Sequence, residues 1–347
     1  MLGVFLLLGV LALGLVMKAP LRVVAGMLAV LWLAFTASHL VLPAMHPVSR
    51  GIGGSLPAWI GLGVVVAIVL AYRAGLGHLR QRAVEPAAAP TGTFSEAELD
   101  RYARHILLRE VGGPGQKKLK NAKVLVVGAG GLGSPVLLYL AAAGVGTIGV
   151  VDNDVVSNSN LQRQVIHRDA DIGKPKVFSA EAAMKALNPY ITVRPYNRRL
   201  AEAEARALVA EYDLVIDGTD NFDTRYMLNE ACVAEGKPLL SGAITQWEGQ
   251  LSLYDPAKGA PCYACVFPER PAPGLVPTCA EAGVIGALPG VIGSMMAGEA
   301  IKAITGAGQD LRGRLLIHDM LWGESRQISV KRQADCAVCG GHDAAAE

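Results

Sequence analysis

The apolar pattern changes character along the chain, and each change marks a different kind of element. Three long apolar runs come first, at 2–17 (LGVFLLLGVLALGLVM), 23–42 (VVAGMLAVLWLAFTASHLVL) and 56–72 (LPAWIGLGVVVAIVLAY). Residues 83–93, AVEPAAAPTGT, then carry no periodicity and read as linker. Helical spacing begins at Leu99, Tyr102, Ala103, Ile106 and Leu107, behind a capping box formed by Ser95 and Glu98. From residue 123 short buried strands alternate with helices. KVLVVGAGGLG is a strand running into a glycine turn, SPVLLYLAAAGV a helix and TIGVVDND a second strand. Further strands are predicted at 191–196, 213–217, 238–241, 250–255 and 314–319, separated by helices near 175–188, 201–211, 223–235 and 288–305. That alternation predicts an α/β domain with a doubly wound, mostly parallel sheet.

The composition is 52% apolar over 347 residues, and nearly all of the excess hydropathy sits in the first 75. A spanning helix needs roughly 20 apolar residues, so the pattern predicts two or three transmembrane helices within residues 1–75. The first run lacks the charged start and small-residue cleavage site of a signal peptide. Lys18 and Arg22 lie between the first two runs, Arg50 between the second and third, and Arg73, Arg80 and Arg82 after the third. The positive-inside rule then places everything after residue 73 in the cytoplasm, on a multi-pass protein of the inner membrane. A linker at 76–94 would lead to a domain over 95–341 and a tail at 342–347. With a net charge of only +2, the chain offers no basic excess for nucleic acid.

Gly128, Gly130, Gly131 and Gly133 form G-x-G-x-x-G in strand–turn–helix context, with Asp152 ending the next strand. Such a turn offers free N–H groups and a helix dipole to phosphate, and the carboxylate suits a ribose. NAD and ATP both fit this much. In the NLQRQ segment that follows, Asn160 and Arg163, with Lys176 further on, supply amide, guanidinium and ammonium donors suited to a triphosphate. Taken singly, Arg163 and Lys176 are equally ordinary surface charges. Asp220, after the strand ending at Asp217, is a candidate Mg²⁺ ligand, with Asp217 structural.

The six cysteines form the second signal. Cys262-Tyr-Ala-Cys265 and Cys336-Ala-Val-Cys339 are two C-x-x-C knuckles, which predicts a closed four-thiolate structural zinc site. Cys232 lies among apolar helical residues and reads as core. Cys279, in PGLVPTCAEAGV, reads either as a nucleophile near a helix start or as an inert thiol.

These residues together resemble the MoeB/ThiF/HesA group, bacterial relatives of ubiquitin-activating enzymes. The resemblance rests on RYARHILLREVGGPGQKKLKNAKVLVVGAGGLGSP, GVVDNDVVSNSNLQRQVIH, DIGKPKV, DLVIDGTDNFDTRYMLNEAC, SGAITQWEGQLSLYD, PCYAC, PTCAEAGVIG and CAVCG, in family order from about 96 to 341. It implies a Rossmann-like fold and MgATP-dependent adenylation of the C-terminal Gly-Gly carboxylate of a ubiquitin-fold sulfur carrier of MoaD or ThiS type. The product would serve sulfur transfer in molybdopterin or thiamine biosynthesis. By position, Gly128 to Gly133 and Asp152 would hold the nucleotide, and Asn160, Arg163 and Lys176 would contact phosphates and the transition state. Asp220 would sit on magnesium, and Arg104 would reach into a partner subunit's site in a homodimer. Cys262, Cys265, Cys336 and Cys339 would bind zinc, and Cys279 matches a loop cysteine that some relatives use in sulfur or thioester chemistry.

Two features depart from the typical relative: the membrane-like start, and the lack of a rhodanese-like extension, which makes any sulfur donor a separate protein. The alternatives are a relative activating a different target in tRNA or peptide modification, a tethered binding protein without catalysis, and an NAD-dependent oxidoreductase. The last leaves NLQRQ and the knuckles unexplained.

Overall fold

A computed structural model describes residues 2–17, 19–43, 45–83, 93–271 and 282–340. The chain divides into two compact units, residues 1–89 and 90–347.

The first unit is helical: α1 (Leu2–Val16), α2 (Leu21–Val41), α3 (Pro47–Ile52) and α4 (Leu56–Ala83). Among the described residues, two stretches are long and apolar enough to cross a membrane, Arg22–Val41 and Leu56–Leu76. α1, at 15 residues, falls short of a full span. α4 runs through Ala83, over the first part of the stretch expected as linker. Within the unit, α2 meets α4 where Trp32 lies over Gly63; a Cβ there would come 2.2 Å from the indole ring. The indole N–H of Trp32 donates to the carbonyl of Trp59 at 2.8 Å, and that of Trp59 to Gly53 at 3.0 Å. Both indoles are therefore satisfied inside the unit, as an apolar surround demands.

The second unit begins with α5 (Glu96–Ile106), α6 (Gly112–Asn121), β1 (Lys123–Val127), α7 (Gly133–Ala143) and β2 (Thr147–Val151). It continues with α8 (Lys176–Leu187), β3 (Thr192–Tyr196), α9 (Glu202–Ala210), β4 (Leu214–Asp217) and α10 (Phe222–Ala234). Last come β5 (Leu239–Thr245), β6 (Glu248–Tyr254), the single-turn α11 (Tyr263–Val266), α12 (Ala287–Thr305), β7 (Arg314–Asp319) and β8 (Glu324–Ser329). The predicted capping box is present, Ser95 and Glu98 each accepting the other's backbone N–H.

One sheet holds all eight strands in the order β3-β2-β1-β4-β5-β6-β7-β8. Strands β3 to β5 pair in parallel, and β5 to β8 antiparallel. The antiparallel half is larger than the sequence pattern implied. β8 (ESRQIS) is exposed at every position and so carries no apolar alternation to reveal it.

The core lies on both faces of the sheet. Along β1, Val124 and Val126 join one cluster with residues of α7, α8 and α12, while Leu125 and Val127 join another with residues of α9 and α10. Successive side chains of a strand point to opposite faces, so a sheet covered on both sides needs continuous apolar runs such as VLVV and LVI. Leu99 and Leu107, expected on the packed face of α5, are instead exposed, while Tyr102 is buried.

Candidate functional site

β1 lies between β2 and β4, so chain connections leave its carboxyl end in opposite directions and open a crevice there. In open α/β sheets ligands bind at such a switch point. Gly128 has φ of 95°, and a Cβ on it would come 2.9 Å from the carbonyl oxygen of Gly218, just past β4. A Cβ at Gly133 would come 1.9 Å from the carbonyl oxygen of Gly128, so the turn closes only with glycine at both positions. Gly131 faces Pro289 at the start of α12, at 3.1 Å from its would-be Cβ, and Gly130 faces the Gln164 carboxamide at 3.6 Å.

Asp152, half-buried beyond β2, accepts the backbone N–H of Ala129 at 2.8 Å on one oxygen and that of Asp154 at 2.8 Å on the other. A carboxylate has about four acceptor positions, so it retains capacity for a diol. Asn160 closes a 3₁₀ turn (Asn158–Asn160), and its carbonyl takes the N–H groups of Arg163 and Gln164 at 3.1 and 3.0 Å. Arg163, half-buried, donates to the Ser159 carbonyl at 3.1 Å. Lys176 opens α8 with its Nζ 2.8 Å from the Asp154 carboxylate; the lysine side chain is 7% exposed and the aspartate 61%. A buried ammonium held by a surface carboxylate is a site where an incoming anion can replace the carboxylate. Asp220 is exposed in the loop after β4.

Asp217, by contrast, is fully buried and occupied. It accepts the Thr219 N–H and hydroxyl at 2.9 and 2.6 Å and the Ser241 hydroxyl at 2.7 Å, with the Arg225 guanidinium at 3.4 Å. The structural reading of that residue stands.

The glycine turn, Asp152, Asn160, Arg163, Lys176 and Asp220 thus all lie in the loops or helix starts that follow β1, β2 and β4. Arg104 does not join them within one chain. It is exposed in the last turn of α5, whose Tyr102 is anchored against Gly144 and Asn188, at the end of α7 remote from the glycine turn. An 11-residue helix separates those ends by about 16 Å. Cys279 lies outside the described residues.

The end of NLQRQ and the segment after it contribute groups that sequence reasoning passed over. His167 is buried, with Nε2 at 2.9 Å from the Ala129 carbonyl and Nδ1 at 2.9 Å from the Ser179 hydroxyl. Burial, and then the Lys176 cation, hold its imidazole below the ordinary histidine range. Gln164 is buried beside Gly130. The only sequence signal for His167 was adjacency to NLQRQ, and Gln164 is the last residue of that segment.

Cys262, Cys265, Cys336 and Cys339 are all buried, with their four Sγ atoms within 4.8 Å of one another. The pairs 262–265, 262–336 and 265–339 stand at 3.8, 3.6 and 3.4 Å. A tetrahedron with Zn–S bonds of about 2.3 Å has edges of about 3.8 Å, so the donor set fits zinc. Donors from outside the knuckles aim at two of the sulfurs: the Gln333 N–H at 3.4 Å from Cys265 and the Asn229 amide at 3.8 Å from Cys262. Asn229, on α10, also accepts the Tyr263 N–H at 2.8 Å, which ties the knuckle to that helix. Burial raises the Cys262 and Cys265 thiols; at Cys336 it is outweighed by the backbone N–H groups of Cys339 and Val338, which bring that thiol to about 7. Cys232 is buried core, its thiol pushed up by burial.

A profile of the ThiF family matches residues 102–338. The sulfur carrier protein adenylyltransferase of Thermus thermophilus is 50% identical over 251 residues, which cover 71% of this chain and 93% of that protein. The probable adenylyltransferase/sulfurtransferase MoeZ of Mycobacterium tuberculosis is 52% identical over 250 residues, 71% of this chain and 64% of that one. The chain therefore spans nearly all of the first relative and just under two-thirds of the second. Among solved structures, E. coli MccB with ATP superposes with a TM-score of 0.61 at 26% identity, over 72% of this chain and 77% of that one.

Proposed function

The chain belongs to the ThiF family, and from that premise we propose that it is an ATP-dependent adenylyltransferase for the C-terminal Gly-Gly carboxylate of a ubiquitin-fold sulfur carrier. The observation that carries this reading is the set of Asn160, Arg163 and Lys176 beside a glycine turn, in a chain 50% identical over 71% of its length to a sulfur carrier protein adenylyltransferase. In the reaction a carboxylate oxygen attacks the α-phosphorus in line. A C–O–P bond forms, the α–β bridging P–O bond breaks and pyrophosphate leaves. The attacking group is already an anion, so no protein base is needed, and catalysis is positioning and charge neutralisation.

Each residue has a part in that scheme. The turn from Gly128 to Gly133 receives phosphate oxygens on backbone N–H groups, and Asp152 takes the ribose hydroxyls. Lys176 exchanges Asp154 for a phosphate, and Arg163 and Asn160 donate to the oxygens that gain charge. Asp220 would hold Mg²⁺, which supplies charge neutralisation on the phosphates when bound. The four cysteines would hold zinc as a structural tie. The distance between Arg104 and its own glycine turn supports a homodimer in which each copy lends Arg104 to the other. Exposed Tyr139, Phe178 and Leu187 on α7 and α8 supply apolar surface for that contact. The two apolar helices, with Arg73, Arg80 and Arg82 toward the end of the second, support attachment to the inner membrane with the second unit in the cytoplasm. Molybdopterin synthesis is the favoured destination of the activated carrier, with thiamine synthesis the other.

The test is ATP–pyrophosphate exchange with short ubiquitin-fold proteins ending in Gly-Gly. We expect exchange that requires the carrier and disappears when its terminal glycines are removed. Exchange with no carrier of this class would defeat the reading.

A further inference from the structure

The peptide at the centre of the glycine turn is held from both sides by side chains. The N–H of Ala129 donates to Asp152, and its carbonyl accepts from His167 Nε2 at 2.9 Å. The other ring nitrogen of His167 meets Ser179 on α8, one turn beyond Lys176. The Ser179 hydroxyl in turn donates to the Asp171 carboxylate at 2.8 Å. One imidazole therefore spans the turn that would cradle phosphate and the helix that carries the phosphate-facing lysine.

We propose that His167 is a positioning residue for the nucleotide: it fixes the glycine turn relative to Lys176, and it takes up a proton when a triphosphate binds. The inference rests on the nucleotide site described above and adds a residue and a linked proton to it.

The Ala129 carbonyl only accepts, so Nε2 bears a hydrogen. Asp171 is held ionised by the Ser179 hydroxyl, with Lys174 adding to the effect against partial burial. That carboxylate only accepts, so the single Ser179 proton points to it and leaves the Ser179 oxygen as an acceptor toward Nδ1. All three hydrogen bonds form together only when Nδ1 also carries a hydrogen, which is the imidazolium. Two things oppose that state in the free protein: burial, with His167 at 6% exposure, and the Lys176 ammonium on α8. Asp152 beyond β2 and Asp171 favour it. A triphosphate on Lys176 cancels the opposing cation and adds negative charge at the turn, so binding shifts His167 toward the protonated, fully bonded state. By linkage, protonation tightens binding equally.

Calorimetry of ATP binding, without carrier, tests this on the full chain in detergent, in buffers of different ionisation enthalpy. His167→Gln keeps a donor for Ala129 and loses the titration. Native protein should take up more proton near pH 6 than H167Q does. An upward move of one pKa unit on binding is a factor of about ten at the low-pH limit, so the H167Q-to-native ratio of Kd should grow by about three- to fivefold from pH 8 to pH 5.5. Ser179→Ala removes the Nδ1 acceptor and should suppress the same proton uptake, which keeps the test open if H167Q folds poorly. Identical uptake and parallel Kd profiles in native and variant proteins would overturn the role of His167. Loss of carrier-dependent exchange alone would count against the proposed substrate and leave this linkage untouched.

Discussion

The cysteine cluster and the switch-point crevice are built on opposite principles. Every candidate ligand of the cluster is buried, and its four sulfurs already stand within 4.8 Å of one another, close to the spacing of a tetrahedral zinc site. At the crevice, Asp220 is exposed, Asn160 and Arg163 are half-buried, and Lys176 leans on a carboxylate at the surface. A closed set with no free position suits a structural ion. An open set of loosely engaged donors suits a ligand that must arrive, react and leave. The distinction follows from where the chain needs rigidity: the knuckles tie α11 and the chain end to α10, whereas the crevice sits on loops after three strands.

The largest effect should come from breaking the closed set. Cys262→Ser, or removal of metal by a strong chelator, should destabilise the second unit by more than about 4 kcal/mol, the range typical of a lost structural metal. In thermal unfolding that is a drop of about 10 °C or more for a domain of this size. An unchanged transition would mean that the four thiols hold no ion that matters.

Changes in the open set should do the reverse. Arg163→Ala and Asp220→Ala should each lower carrier-dependent exchange by about a hundredfold or more, the scale of losing one charge-stabilising group, and leave the transition temperature close to native. A large loss of stability in either variant would erase the contrast.

A smaller effect tests the strut behind the turn. Because burial lowers the folded-state pKa of His167 below the ordinary value near 6.5, the native state resists protonation more than the unfolded chain. The associated stability is present above that pH and is lost as pH falls through it toward the folded value. H167Q should therefore show a flatter fall in transition temperature below about pH 6.5; equal slopes would contradict the assignment.

The parallel half was legible in the sequence because each of its central strands is an apolar run bounded by glycine or a polar turn. The knuckles were legible because C-x-x-C spacing is itself the geometry. What escaped notice had no such signal. β8 faces solvent throughout, α6 (GGPGQKKLKN) begins on glycines and a proline, and the roles of His167 and Ser179 depend on contacts between a loop, a turn and a helix. NLQRQ was informative for the reverse reason: it packs four polar side chains into a segment that must fold back on the turn, and the structure folds it there.

The most direct measurement is the intact mass of a Gly-Gly carrier after incubation with this protein and MgATP. The expected product is a carrier heavier by one adenylyl group (AMP less one water), formed with an equal amount of pyrophosphate and absent with Arg163→Ala or with a carrier lacking its terminal glycines. An unmodified carrier, with ATP consumed to ADP and phosphate, would contradict it.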